Sequence, residues 1–173
     1  MTSTTAFHPL QLKWSSLSTY LLVFLFLGGN LILPQLCHLI PSGGLILLPI
    51  YFFTLIASYK FGLKVGLFTA IFSPILNSVL FGMPLLIMLP AILVKSCLLA
   101  FAAAYVAATF KKITILHLVA VVLMYQIAGS LVELGITQSF AMATQDLTMG
   151  IPGMLIQIFG GWYLLKKLAN YEL

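Results

Sequence analysis

Apolar stretches long enough to cross a membrane follow one another along this chain, and they contain very few charged residues. Hydrophobic residues make up 62% of the 173 residues and charged residues only 6%, whereas a soluble domain carries about a quarter charged residues. A helix that crosses a bilayer needs about 20 predominantly apolar residues. We therefore predict an integral membrane protein, with residues 1–173 forming a single transmembrane domain.

The apolar stretches are continuous and rich in Leu and Ala, and they lack the alternation of a membrane β-barrel. In lipid, such stretches form helices, because each backbone polar group must find its partner within the segment. The pattern predicts an all-α bundle of six transmembrane helices. The first span is expected to be retained, since no A-x-A exit follows it. The predicted spans are about 18–39, 45–59, 61–81, 85–110, 115–136 and 149–167.

Lysine placement predicts the orientation, because cytoplasmic loops collect Lys and Arg. The chain has eight lysines and no arginine. Lys95 lies inside the fourth span, whereas the other seven fall before the first span, between alternate spans and at the end of the last. This regularity supports six spans and places both termini in the cytoplasm. The seven are Lys13, Lys60, Lys64, Lys111, Lys112, Lys166 and Lys167.

In this orientation, five spans carry a proline in the outer half of the membrane. Proline frees backbone carbonyls inside a helix, which lipid tolerates only where the backbone is buried in protein or lines a cavity. The shared depth predicts one cavity that opens outward. Alternatively, a proline near a span end only starts or stops a helix, as for Pro34 and Pro152. The five are Pro34, Pro49, Pro74, Pro90 and Pro152.

Lys95 and Glu133 are the ionisable side chains expected deep in neighbouring spans. A charged group near the bilayer centre costs a few kcal/mol even on lenient scales, so it faces protein or water and has a partner. Two hypotheses remain open at this stage. The residues form a structural ion pair that only neutralises charge, or Lys95 meets an anionic group of a ligand.

Polar side chains cluster at the same level of the membrane, and amides orient a ligand by offering a donor and an acceptor together. Each of them alone could equally be a contact between helices. The segment 135–148 contains Gln138, Gln145 and Asp146 and is either a lid over the cavity or a solvated connector. The clustered residues are Asn30, His38, Asn77, Tyr125, Gln126 and Gln157.

Small residues form stripes that allow close helix approach, either within the chain or with a partner subunit. Span three carries one stripe, and the inner half of span four carries a longer one with room for docking. The first span offers only a glycine pair. These candidate docking residues are Gly28, Gly29, Gly62, Gly66, Ala70, Ser96, Ala100, Ala104 and Ala108.

Motifs for catalysis and ATP hydrolysis are missing from the sequence: it has no Walker lysine loop, no GxSxG and no HExxH. His8, His38 and His117 belong to different elements, and Cys37 and Cys97 match no metal spacing. The scattered lysines do not form a nucleic-acid-binding patch. We therefore expect neither an enzyme nor a bound metal or cofactor, and energised transport would need a partner.

The residues from the third span into the fourth carry a family resemblance. The run Gly62-Leu-Lys-Val-Gly66 leads to Ser73-Pro74, Asn77, Phe81-Gly82-Met83-Pro84 and Leu89-Pro90. With six short-looped spans over nearly the whole chain, it resembles the substrate-binding S components of energy-coupling factor (ECF) vitamin transporters, in the folate, pantothenate and hydroxymethylpyrimidine group.

The resemblance implies a binding subunit of an ABC importer in the bacterial plasma membrane. Its outward pocket would lie among spans four to six, and transport would occur by toppling within a complex with a transmembrane coupling subunit and two ATPases. Lys95 would meet a carboxylate or phosphate of a vitamin or precursor, amides would orient it, and Gln145 and Asp146 would close the lid. The implied ligand contacts are Lys95, Glu133, Gln126, Asn77, Asp146 and Gln145.

Two departures from the family pattern concern the ligand and the partner. Similar proteins often carry an acid near the position of Lys95, and often show Ala-xxx-Ala on the first span.

Two functions other than that of an S component are also considered: a self-sufficient transporter or small channel, and a structural membrane subunit without a ligand. A transporter or channel would need a polar path through both halves of the membrane, and the inner half here is strongly apolar and alanine-rich.

Overall fold

The structure is a computed structural model that describes Phe7, Pro9, Leu10 and residues 17–170. Within these residues it is almost entirely helical and contains no β-strand. An all-α fold is therefore confirmed for the described part of the chain. The elements are α1 (Leu17–Cys37), α2 (Gly43–Leu47), α3 (Pro49–Phe81), α4 (Leu89–Phe110), α5 (Ile115–Thr137), α6 (Phe140–Met149), α7 (Ile151–Leu155), a π-helical turn (Ile156–Gly160) and α8 (Gly161–Leu168).

Membrane-crossing length and hydropathy are found in four helical segments of the described residues. These are α1, the segment Gly43–Phe81, α4 and α5. A fifth is formed if Phe140–Met149 and Ile151–Leu168, which meet at an angle of 52°, are counted as one bent span. The chain is thus a helical, multi-pass membrane protein.

The long helix α3 is interrupted at Gly62, whose φ of 84° lies in the left-handed region. A Cβ atom added to Gly66 would lie 2.7 Å from Cα of Ser58. Eight residues of straight helix would separate these positions by about 12 Å. The chain therefore folds back at Gly62, and the two limbs of α3 pack side by side. This reversal separates the predicted spans 45–59 and 61–81.

Several predicted boundaries need correction. The second predicted span begins as the short α2 and is broken at Leu48, which has a left-handed backbone with φ of 46°. The fourth span begins at Leu89, four residues after its predicted start, because turns occupy the residues after Phe81. Pro90 therefore lies in the first turn of α4, where its missing N–H has no helical partner to lose, and not deep in the span.

The segment predicted as the loop 135–148 is largely the helix α6. Ser139 starts this helix, because its side chain accepts a hydrogen bond from the backbone N–H of Met142 at 3.4 Å. The last predicted span, 149–167, is divided into α7, the π-helical turn and α8. Pro152 occupies the first turn of α7, consistent with the interpretation that it starts a helix.

One end of the bundle gathers the reversal at Gly62, the α4–α5 connection and the end of α8. The Tyr59 hydroxyl donates to the backbone carbonyl of Lys112 at 2.6 Å, and Lys60 Nζ donates to the carbonyl of Ala169 at 3.1 Å. The backbone N–H of Leu10 donates to the carbonyl of Lys60 at 2.8 Å. We call this the lysine end; Lys13 lies outside the described residues. It holds Lys60, Lys64, Lys111, Lys112, Lys166 and Lys167.

The interior between the two ends is filled by apolar side chains of α3, α4 and α5. Leu55, Leu99, Leu118, Val121 and Val122 are all fully buried. Helix α3 has its most extensive contacts with α4 and α1, and α5 packs against α4. The opposite faces of these helices expose large apolar side chains, as expected for helices that face lipid.

Candidate functional site

A cavity of about 450 Å³ lies at the end of the bundle opposite the lysine end. Its size falls within the range of about 300–1,000 Å³ for small-molecule sites. The end of α1, the turn into α2, the start of α3, the connection from α3 to α4, and Ile92 of α4 form its walls. These walls are mainly apolar, and Asp146 of α6 supplies a carboxylate to them.

Lys95, Glu133 and Asp146 form an ion cluster beside this cavity. Lys95 Nζ lies 2.5 Å from Glu133 Oε2 and 2.7 Å from Asp146 Oδ2. The side chain of Lys95 is 2% exposed, and those of Glu133 and Asp146 are 13% and 15% exposed. The structure thus contains the predicted pair of Lys95 and Glu133 and adds a second acid from α6.

Three helices position the cluster, and a glycine makes room for it. A Cβ atom on Gly129 of α5 would lie 2.4 Å from Lys95 Cγ, so the lysine stem passes directly over this glycine. This close approach brings the ammonium group to Glu133, one helical turn further along α5. Asp146 reaches the same ammonium from α6, which bends away from α7 after Gly150.

The charges of the cluster do not balance. One ammonium faces two carboxylates, so the three residues carry a formal charge of −1 when all are ionised. Two charged partners already occupy the lysine, and a ligand anion would have to displace one of them. The described geometry therefore supports the ion pair, and it offers no free ammonium to an anionic ligand.

Tyr51 extends the site from the cavity wall into the bundle. Its ring centroid lies 5.2 Å from that of Tyr125, whose hydroxyl donates to Gln157 Oε1 at 2.9 Å. Gln126 is fully buried on the same helix, and neither its Oε1 nor its Nε2 has a hydrogen-bond partner among the described residues. Buried amides of this kind normally have partners, so the interior behind the cavity has unused hydrogen-bonding capacity.

Asn30 and Asn77, both predicted as ligand contacts, belong to a different network. Asn30 Nδ2 donates to Thr54 Oγ1 and Ser73 Oγ, each at 3.1 Å, while Asn77 Nδ2 donates to the carbonyl of Asn30 at 2.8 Å. Neither asparagine lines the cavity. This network ties α1 to both limbs of α3. Asn30 and Asn77 therefore act as contacts between helices, which was the alternative to a ligand contact.

His38 lines the cavity at the end of α1, where its ring lies over Gly44. Gln145 is half-buried on α6 and does not line the cavity. Sequence reasoning missed most of the walls, including Tyr51, Met83 and Met88. The turn-forming residues Pro41, Ser42, Gly43 and Gly44, together with Met83 and Pro84, are the signal that could have indicated them.

The small-residue stripes mostly serve contacts within the chain. A Cβ on Gly29 would lie 2.9 Å from the ring of Phe53, and Gly66 faces Ser58 across the two limbs of α3. Gly62 is needed for the chain reversal, and Ala70, Ser96 and Ala100 are fully buried. Of the nine proposed docking residues, Ala108 is exposed, four are buried, and the remaining four, Gly28, Gly29, Gly62 and Ala104, are partly exposed.

Comparison of the chain with models of protein families, with characterised proteins and with solved structures finds no match.

Proposed function

We propose that this protein is the substrate-binding S subunit of an ECF-type ABC importer that takes up a small water-soluble vitamin or precursor. The observation that carries the proposal is the cavity at one end of the bundle, with the carboxylate of Asp146 on its apolar wall and the ion cluster behind it. An intramembrane ionisable group beside a cavity indicates a functional site.

The proposed topology has six crossings, with both termini in the cytoplasm of a bacterial cell and the cavity facing outward. The reversal at Gly62 supports this count, because it divides Gly43–Phe81 into two antiparallel limbs. The bent segment from α6 to α8 supplies the sixth crossing. The gathering of six lysines at one end supports the orientation, since cytoplasmic segments collect lysine.

The apolar interior favours a binding subunit over a self-sufficient transporter or channel. Leu99, Leu118 and Val122 fill the bundle between the cavity and the lysine end, where a transporter would need a polar path. Transport therefore requires movement of the whole subunit within a complex that contains a coupling subunit and two ATPases. Among the exposed or partly exposed small residues, we assign Gly28, Ala104 and Ala108 to docking on the coupling subunit, because Gly29 and Gly62 serve contacts within the chain.

Mass spectrometry of small molecules extracted from the purified protein tests the proposed binding. We expect one compound at near-equal molar ratio in the wild type and its loss from Ile92→Trp, which fills the cavity wall. Leu116→Trp is the matched control, because Leu116 is 75% exposed near the start of α5. A protein that never retains a compound, from any growth medium, would point to a structural subunit.

Uptake in a bacterial host tests the proposed partners. Accumulation of the extracted compound should require the coupling subunit and active ATPases, and an ATPase with its Walker lysine replaced should abolish it. Uptake that persists without these partners would favour the self-sufficient transporter.

A further inference from the structure

We infer that the cavity binds a small organic cation, such as a protonated amine or amidine joined to an apolar body, and that Asp146 binds its positive group. This inference rests on the proposed function and names the class of its ligand. It differs from the anionic ligand that Lys95 alone suggested.

The ion cluster has one more carboxylate than it has ammonium groups. Lys95 balances one carboxylate, and the charge of the other remains within a largely buried site. Burying an uncompensated charge is unfavourable, so a bound cation would offset part of the cost of the second carboxylate. A cation in the cavity would bring the formal charge of the assembly from −1 to zero.

Asp146 belongs to both the ion cluster and the cavity wall. Lys95 contacts Oδ2 of Asp146, and Asp146 also lines the cavity. An ionised carboxylate has about four lone-pair sites on its two oxygens. Asp146 can therefore keep its lysine partner while it accepts a hydrogen bond from a ligand N–H.

The wall of the cavity combines an aromatic residue with apolar side chains. Tyr51 lines the cavity beside the cluster, and the face of a tyrosine ring attracts cations. Leu45, Leu48, Ile50 and Ile92 surround the remaining space with apolar side chains. A ligand with one charged group on a compact apolar body matches both parts of this surface, whereas a polyanion would place its charges against hydrocarbon.

Three planar probes of nearly equal shape separate charge from size: benzamidinium, benzamide and benzoate. Their affinities are to be measured by ligand-observed NMR titration of the full-length protein in lipid nanodiscs. We expect benzamidinium to bind at least about tenfold more tightly than benzamide, and benzoate to bind most weakly. Any compound that co-purifies is first removed from the protein, so that it cannot compete with the probes.

The preference should depend on the acids of the cluster. In Asp146→Asn the advantage of benzamidinium over benzamide should fall to less than about threefold. Thr148→Val on the same helix is the matched control and should keep the wild-type ratio, because Thr148 is exposed and bonds only to backbone carbonyls of α6. If Asp146→Asn does not fold, Glu133→Gln removes the same charge from α5 and should also reduce the ratio.

Two results would overturn the inference, and they differ in what they say about the proposed function. Equal affinities, or tighter binding of benzoate, would refute a cation site while leaving a ligand-binding cavity in place. Failure of all three probes to bind at millimolar concentration would also refute it. If that failure were accompanied by the absence of any extracted compound, the proposed function would fall as well.

Discussion

Lys60 and Lys95 each have 1% of their whole-residue surface exposed, yet they lie at opposite ends of the molecule and meet different partners. Lys60 donates to the backbone carbonyl of Ala169 and lies 5.2 Å from the ring centroid of Phe7. Carbonyls near a helix C-terminus attract cations through the helix dipole. Lys95 instead contacts two carboxylates beside a cavity.

The difference shows how one residue type serves two purposes. At the lysine end, the Lys60 contact joins backbone hydrogen bonds in holding the chain reversal, the α4–α5 connection and the end of α8 together. At the cavity end, the Lys95 contacts hold α6 against α4 and α5 through ionised side chains only. The first arrangement closes an end of the bundle, and the second leaves charge available to a ligand.

Replacing the two lysines should separate these purposes most strongly. Lys95→Met leaves two carboxylates buried without a counter-charge, and the loss of one partner from a buried ion pair costs about 3–5 kcal/mol. Lys60→Met removes the hydrogen bond from the ammonium group to the carbonyl of Ala169, and losing a hydrogen bond from a charged group costs about 1.5–3 kcal/mol. The unfolding temperature in detergent should therefore fall further for Lys95→Met.

The corresponding triple variant is the control for this comparison. Lys95→Met combined with Glu133→Gln and Asp146→Asn removes all three charges, and it should recover most of the lost stability. If the triple variant were as unstable as Lys95→Met alone, packing of the lysine stem rather than charge would account for the loss.

Gly66→Ala tests the chain reversal near the lysine end. The new Cβ would lie 2.0 Å from Ser58 Oγ and 2.6 Å from Ser58 Cβ, so the two limbs of α3 would have to separate. Overpacking of this kind costs about 1–3 kcal/mol. Gly28→Ala is the matched control, because a Cβ there meets no atom within 4 Å. Equal unfolding temperatures for the two variants would contradict the antiparallel packing of the limbs.

Gly129→Ala makes the equivalent test at the cavity end, with a smaller expected effect of about 1 kcal/mol. Its Cβ would meet Lys95 Cγ at 2.4 Å, and this flexible side chain can shift at lower cost than a backbone. Gly135→Ala on the same helix meets nothing within 4 Å and serves as the control. The unfolding temperature should fall for Gly129→Ala only; a fall for both would indicate a general intolerance of alanine in α5.

Much of the fold was predictable, because hydropathy and lysine spacing both follow from the membrane as solvent. The predicted spans 18–39 and 115–136 match α1 and α5 to within about one or two residues. The partnership of Lys95 and Glu133 was also predictable, since a buried charge needs a counter-charge and few acids were available.

The remaining features depend on tertiary contacts that periodicity does not report. Nothing in the sequence pattern shows that α6 turns Asp146 back toward Lys95, so the contact between these two residues was not predicted. Asn30 and Asn77 looked like ligand contacts at the right depth, but the reversal at Gly62 places Thr54 and Ser73 within reach of Asn30. Membrane depth alone does not give the direction in which a side chain points.

Helix caps provide the finest comparison of the two ends, because the same chemistry starts a helix at each. Thr114 near the lysine end accepts from the backbone N–H of His117 at 3.1 Å, and Ser139 starts α6 with a longer contact of 3.4 Å. Thr114→Ala should lower overall stability by about 1 kcal/mol. Ser139→Ala should cost less and increase hydrogen exchange mainly within α6, since this short helix is tied to the bundle through the ion cluster. Ser139→Asp, which restores a cap, should return exchange to the wild-type rate. If Ser139→Ala instead lowered the unfolding temperature as much as Thr114→Ala, α6 would unfold only with the whole bundle and could not act as a separate lid.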